Sequence, residues 1–201
     1  MKEETIFIQI ASYRDPELPI TLESCIENAN KPENLRFSIC RQFRQGDKFD
    51  EIPEYENDPR FKVVNVPWKQ AKGVCWARNI VQNEYDGEAY TLQLDSHHRF
   101  APGWDTQCID MIKQLQKKGH KKPLLTAYIP SYKPSNDPDG REKDPWFMEY
   151  DRFIPEGAIF FLPSTIPDWN TRIEPMRSRF YSAHFNFTIG DFCNEVPHDP
   201  D

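Results

Sequence analysis

Apolar residues along this chain recur with two alternating periods. Thr5-Ile6-Phe7-Ile8-Gln9-Ile10-Ala11 is a β-rich run that ends in the polar Ser12-Tyr13-Arg14-Asp15-Pro16, and Leu18 to Asn28 then carries Leu18, Leu22, Cys25 and Ile26 at helical spacing. Leu35 to Phe43 and Phe61 to Val66 read as further strands, and Cys75 to Asn83 reads as a helix. Tyr90-Thr91-Leu92-Gln93-Leu94-Asp95 is another strand, followed by a helix from Asp105 to Lys117 and a strand from Leu124 to Ile129. Such alternation predicts an α/β fold with a mostly parallel, Rossmann-like sheet. Ser131 to Pro145 is rich in Pro, Asp, Lys and Ser without periodicity, which predicts a surface loop able to act as a lid. Glu149 to Leu162 and Phe180 to Ile189 are aromatic and β-branched, and predict a small antiparallel addition laid on the sheet edge.

Length and composition narrow the picture. A chain of 201 residues suits a single domain over positions 1–201, and 18 Pro against 8 Gly predicts many irregular connections. The net charge of −7, with basic runs no longer than Lys117-Lys118 and Lys121-Lys122, lacks the electrostatic footprint of a nucleic-acid partner. Five cysteines, odd in number and without a Cys-x-x-Cys pair, argue for reduced, mostly buried thiols rather than a disulfide framework or thiolate metal site. Met1-Lys2-Glu3-Glu4 passes directly into the first strand with no basic leader, and no apolar run approaches bilayer length. The expectation is a cytoplasmic protein with no membrane partner.

In open α/β sheets ligands bind beyond the carboxyl ends of the strands, so the polar residues that follow each apolar run carry the chemistry. Three sets qualify: Ser12-Tyr13-Arg14-Asp15, then Lys72-Gly73-Val74-Cys75-Trp76-Ala77-Arg78, and Asp95-Ser96-His97-His98-Arg99-Phe100. Asp95 and His97, two apart at a strand end, are expected on one face, with Ser96 turned away. One hard oxygen and one imidazole nitrogen suit Mn²⁺ better than Ca²⁺, and a diphosphate would fill the open positions. By itself the spacing is more often that of an Asp capping a turn beside two exposed histidines. Lys72 and Arg78, with Gly73 between them, can grip a phosphate at a helix N-terminus, or Arg78 can orient Asp95. Asp15 can pair with Arg14 or take a ribose or base contact. Asp105 reads as a helix N-cap. For a third metal ligand the sequence offers His184 and His198, without choosing between them.

The strings Ile8-Gln9-Ile10-Ala11-Ser12-Tyr13-Arg14-Asp15, Lys72-Gly73 to Trp76-Ala77-Arg78, Leu92-Gln93-Leu94-Asp95-Ser96-His97-His98-Arg99-Phe100 to Gly103-Trp104-Asp105, and Glu195-Val196-Pro197 together resemble one family. It is the GlcNAc-transferase family that includes the Skp1 hydroxyproline N-acetylglucosaminyltransferase. The resemblance is ordered and collinear over nearly the whole chain.

That resemblance implies a GT-A (nucleotide-diphospho-sugar transferase) fold and transfer of N-acetylglucosamine, or a related hexose, from a UDP-sugar such as UDP-GlcNAc to a protein or peptide hydroxyl, with retention. It implies Mn²⁺ or Mg²⁺ at a DXD-like motif formed by Asp95 and His97; of the two candidate third ligands, His198 is the one expected here, and the resemblance itself does not select it. Ser12, Arg14 and Asp15 fall on the nucleotide-contacting loop, Arg78 beside the diphosphate with Lys72 and Gly73, and Trp104 against the donor sugar. The nucleotide-binding half is expected at about residues 1–105 and the acceptor-side half at about 106–201. The family pattern continues past Val196-Pro197, whereas this sequence stops at Asp201, so the acceptor side is expected to be C-terminally incomplete. No catalytic base is fixed, and Asp191 and Glu195 are the carboxylates to test. Two other readings stay open: a non-catalytic nucleotide-sugar-binding remnant, and a metal-dependent nucleotidyltransferase or hydrolase on the same sheet.

Overall fold

A computed structural model describes residues 3–200; Met1 and Lys2 of the expected leaderless start, and Asp201, lie outside them. In chain order the elements are β1 (Ile6–Tyr13), α1 (Leu18–Glu27), β2 (Leu35–Phe43), β3 (Phe61–Pro67), α2 (Val74–Gln82), β4 (Tyr90–Asp95), α3 (Trp104–Lys117), β5 (Leu124–Thr126), β6 (Trp146–Phe153), β7 (Ile159–Thr165), β8 (Phe185–Ile189) and the short α4 (Phe192–Glu195). The chain divides into two compact units, Met1–Leu124 with Phe187–Asp201, and Leu125–Asn186.

The first unit is built on a sheet of order β3-β2-β1-β4-β8-β5, in which β1 pairs parallel with β2 and β4, and β2 with β3. Ile6, Phe7, Ile8 and Ile10 of β1 are all at most 1% exposed. A parallel strand covered on both faces has no need of a polar side, which is why apolar residues stand on both faces of β1, broken by the buried Gln9 and Ser12. Burying each such side chain is worth about 1.5–3 kcal/mol. Across the sheet, Phe37 of β2 stacks on Phe61 of β3 at 4.2 Å, and Tyr90 of β4 stacks on Phe187 of β8 at 5.7 Å.

One face of β1, β2 and β4 matters for the site. Gln9, Ala11 and Tyr13 share it with Cys40 and Gln42, and with Thr91, Gln93 and Asp95, through the parallel register. Helix α2 packs there, with Ala77 and Val81 against Cys40 and Ala11. Arg78 and Gln82 are also four apart and buried, which aims a second, polar row of α2 at the end of the sheet.

Several expectations need correction. The expected small antiparallel addition is present in the second unit as the hairpin of β6 and β7, with a bulge between Tyr150 and Arg152, but Phe180 to Ile189 is not part of it, because β8 lies inside the large sheet between β4 and β5. Strand β5 ends at Thr126 rather than Ile129, and Thr126 Oγ1 bonds Phe185 O and Ser182 instead. Asp105 is not an N-cap. Gly103 holds that position in the left-handed region (φ 71°), and the buried Asp105 carboxylate accepts the backbone N–H groups of Asn30 and Lys31, both at 2.9 Å. Ser131 to Pro145 contains one 3₁₀ turn, Pro134–Asn136, and is otherwise irregular up to the bend into β6. Among the described residues no helix is long and apolar enough to cross a membrane.

Candidate functional site

Asp95 is the last residue of β4 and pairs in register with Ala11 of β1. Its Oδ1 accepts a hydrogen bond from Arg78 Nη2 at 2.9 Å, so the polar row of α2 fixes the carboxylate where the strand ends. Arg78 is 9% exposed, which leaves its charge little water and makes Asp95 its natural counter-ion.

Beyond Asp95 the strand stops, and with it the alternation of side chains. Ser96 therefore does not turn away from His97: Ser96 Oγ donates to Asp15 Oδ2 at 2.6 Å, and His97 Nδ1 meets the same oxygen at 2.7 Å. The second oxygen of Asp15 accepts the Glu17 N–H at 2.9 Å. The turn is clamped further by Thr21 of α1, whose Oγ1 donates to Ser96 O and accepts from the His98 N–H, and by His98 Nδ1 on Asp95 O. Burial works to raise the Asp15 pKa, but the hydrogen bonds from His97, Ser96 and Glu17 outweigh it and hold it at about 2. The same bond to Asp15 raises the His97 pKa above its ordinary value.

The C-terminal segment returns to this region. Asn79 and Gln82 of α2 donate to His198 O (2.7 Å) and Val196 O (2.9 Å), Gln82 Oε1 accepts the His198 N–H (2.8 Å), and His198 Nε2 lies 2.6 Å from Gln93 Oε1. Burial, and then the positive charge of Arg78, lower the His198 pKa, so the ring is neutral at pH 7. A cavity of about 750 Å³ is lined by Ala11 and Tyr13 of β1, Gln42 of β2, Trp68, Lys69 and Ala71, and the N-terminal Gly73-Val74 of α2, and Ala11 is the register partner of Asp95. Gly73 adopts φ 113°, a region closed to most side chains, which lets the helix start without a side chain over its N-terminus.

A sequence model described as glycosyltransferase (GlcNAc) matches residues 5–57 and 48–201. The chain belongs to the glycosyltransferase (GlcNAc) family. No curated protein sequence matches it significantly. Among solved structures it is similar to GalNAc-T7 with UDP, GalNAc and Mn²⁺ (16% identity, TM-score 0.61, covering 98% of this chain and 37% of that one). It is also similar to S. aureus TarS 1–349 in complex with UDP-GlcNAc (12% identity, TM-score 0.51, covering 66% and 36%). The likeness is one of fold, and the fold is GT-A. The chain spans about a third of the length of these solved structures.

In this glycosyltransferase (GlcNAc) chain Asp95 and His97, at the end of β4, are residue types able to ligate a divalent cation. A metal-ligating histidine characteristically gives its other ring N–H to a carboxylate, and His97 is so held by Asp15, with its side chain 56% exposed. Among the described residues no three His, Cys, Asp or Glu side chains already converge on one point, so Asp95 and His97 would leave most positions to ligand oxygens.

Other sequence-named residues fall in different settings. Arg14, in the left-handed region at φ 48°, pairs with Asp47 at 2.7 Å and lies 5.8 Å from the Trp68 ring centroid. Ser12 is buried, its Oγ without a protein partner. Lys72 is exposed beside Gly73. Trp104, expected against the donor sugar, is 7% exposed, donates its indole N–H to Cys25 O at 2.9 Å and packs on Phe100, so its ring belongs to the core. His184 sits in the second unit, where Nε2 accepts the Ile129 N–H and Nδ1 meets Ser182 Oγ. Asp191 lies 3.4 Å from Tyr85 Oη, and Glu195 is ion-paired with Lys122. Sequence reasoning passed over Thr21, Gln82 and Gln93. A signal was present for two of them: Gln93 interrupts an apolar strand, and Thr21 stands on the apolar stripe of α1 with Leu18, Leu22 and Cys25, both places where a polar side chain must find a partner.

Proposed function

We propose that this domain binds a UDP-sugar, UDP-GlcNAc by family, and transfers the hexosamine to a protein or peptide hydroxyl with retention at the anomeric carbon. One observation carries the reading. Asp95 and His97, each held by its own partner, stand at the end of β4, and Ala11, the β1 register partner of Asp95, lines a cavity at the ends of β1 and β2, the position where open α/β sheets bind nucleotides. A divalent cation, Mn²⁺ or Mg²⁺, bound by Asp95 and His97 would neutralise the diphosphate and act as Lewis acid toward the departing UDP. His198, neutral and next to Gln93, is the third ligand in this reading, reaching the cation by exchanging its Gln93 contact.

The chain's own residues supply the rest. Tyr13 and Trp68 offer aromatic faces to a base within the cavity, and Gln42 offers amide contacts. Arg78 orients Asp95, and Lys72 with the α2 N-terminus at Gly73 faces phosphate oxygens. Ser12 and Arg14 support this nucleotide loop. No side chain is assigned as base: the leaving phosphate takes the acceptor proton in a front-face transfer, and Asp191 and Glu195 serve outside the reaction. The donor half falls at about residues 1–105 and the acceptor half at about 106–201, in a cytoplasmic protein whose five cysteines are free thiols.

The test is UDP release from UDP-GlcNAc and from UDP-Gal, with Mn²⁺ or with EDTA, in the presence of hydroxyproline- and serine-containing peptides, with mass spectrometry of the peptides. Peptide carrying one added hexosamine, in Mn²⁺ only, is the expected product. UDP release with no sugar on any hydroxyl would favour a hydrolase, and no release with intact donor binding would favour a sugar-nucleotide-binding remnant.

A further inference from the structure

We infer that Asp15 is a positioning residue for His97: it fixes the ring with Nδ1 protonated, so that the Nε2 lone pair is presented to a divalent cation. The inference rests on the metal-assisted reading of Asp95 and His97 given above, and it replaces the nucleotide contact expected of Asp15 from sequence.

The geometry is specific. Asp15 and His97 are 82 positions apart in sequence, yet Oδ2 lies 2.7 Å from Nδ1. The carboxylate has no freedom to do otherwise, because Ser96 Oγ donates to the same Oδ2 at 2.6 Å and the Glu17 N–H holds Oδ1 at 2.9 Å. An ionised carboxylate accepts hydrogen bonds and donates none, so the atom facing it on a neutral imidazole must be the N–H. The other nitrogen is then the acceptor, and only that tautomer can give Nε2 to a cation. With the side chain of His97 56% exposed and that of Asp15 17% exposed, the holder is sheltered and the held group is presented.

The position of Asp15 is set in turn by its neighbour. Arg14 takes a positive φ (48°) that few non-glycine residues adopt, and its Nε–Asp47 Oδ2 ion pair of 2.7 Å anchors that conformation. The bend at Arg14 carries the chain from the end of β1 across to the turn after β4, and Asp15 arrives facing Ser96 and His97.

Asn in place of Asp15 is nearly isosteric, can still accept from Ser96 or Glu17, but can present its NH₂ to Nδ1 and so favour the opposite tautomer. Two readouts test this on the whole chain. Long-range ¹H–¹⁵N NMR of the metal-free protein, at a pH where the ring is neutral, should show His97 protonated at Nδ1 in the native sequence and a shift toward Nε2–H in Asp15→Asn. Mn²⁺ affinity, measured by electron paramagnetic resonance of the free ion, should fall about 10–100-fold in Asp15→Asn, the usual consequence of losing the carboxylate behind a metal-bound histidine. Ser96→Ala, which removes one hydrogen bond to Asp15 but leaves the His97 contact, should lose no more than about threefold.

An Nε2–H tautomer in the native protein overturns the inference without reference to any variant. So does native-like Mn²⁺ affinity in Asp15→Asn while Asp95→Ala abolishes binding, since the cation site would then exist without help from Asp15. Equal losses in Ser96→Ala and Asp15→Asn would make Asp15 a clamp of the turn only. If the native protein binds no Mn²⁺, the metal-assisted reading itself falls.

Discussion

His97 shows how much of the chemistry is decided by a residue's holder rather than by the residue. Its Asp15 partner has a pKa held at about 2, below the ordinary 3.8, so ionised Asp15 adds stability above that ordinary value which is lost as pH falls toward 2. His97 is raised above 6.5, so its contribution is complete below 6.5 and is lost as pH rises through the raised value. The pair therefore stabilises most between about pH 4 and 6.5. Because the ring is half exposed, the difference in urea midpoint between native protein and Asp15→Asn should correspond to less than about 1 kcal/mol at its maximum and shrink on either side. A difference independent of pH would contradict the ion pair. At Asp95, Arg78→Met leaves a partly sheltered carboxylate without its donor and should lower stability by about 1–3 kcal/mol, read from the same midpoint. Residue-scale legibility was uneven for a physical reason. The Asp-x-His spacing at a strand end is local and visible, whereas the holders lie up to 82 positions away and leave no mark near the motif. Asp15 and Arg78 were singled out, Asp15 for a different contact, and Gln93 was not, although a glutamine in an apolar strand demanded a partner.

At the scale of elements, β2 (Leu35–Phe43) and β4 (Tyr90–Asp95) cover the segments expected from sequence, since buried apolar residues recur along both, between the buried polar Ser38, Arg41, Gln42, Thr91 and Gln93. The later strands were less legible. Trp146–Phe153 has no clean alternation and a bulge at its centre, and it pairs with its own neighbour β7, so local composition carried no information about which sheet it joins. The parallel core should respond strongly to truncation: Phe37→Ala, at a 1% exposed position stacked on Phe61, should lower stability by about 3–5 kcal/mol in urea unfolding. Gly190, just after β8, has no room for a side chain, since a Cβ there would collide with the Glu88 carbonyl oxygen and the Tyr85 hydroxyl. Gly190→Ala should therefore destabilise by about 1–3 kcal/mol, with the backbone between β8 and α4 forced to shift.

For the molecule as a whole, an acidic chain of net charge −7 still places three cationic residues about the start of α2: Lys69 lines the cavity, Lys72 precedes Gly73, and Arg78 on the helix pairs with Asp95. Local charge at contact distance outweighs the overall balance, which is how an acidic protein accepts a diphosphate with a cation. Fold class and the collinear strings pointed to the GlcNAc-transferase family from sequence alone, because both are spread over the chain. The division into two units was not visible, since no linker composition marks it. The central claim is that a nucleotide diphosphate and a divalent cation bind together at Asp95 and His97. Calorimetric titration of UDP-GlcNAc with Mn²⁺, with EDTA, and with Asp95→Ala tests it most directly. Binding in Mn²⁺ that disappears with EDTA and in Asp95→Ala is the predicted result; absence of binding in the native protein with Mn²⁺, or equal binding in all three conditions, would contradict it.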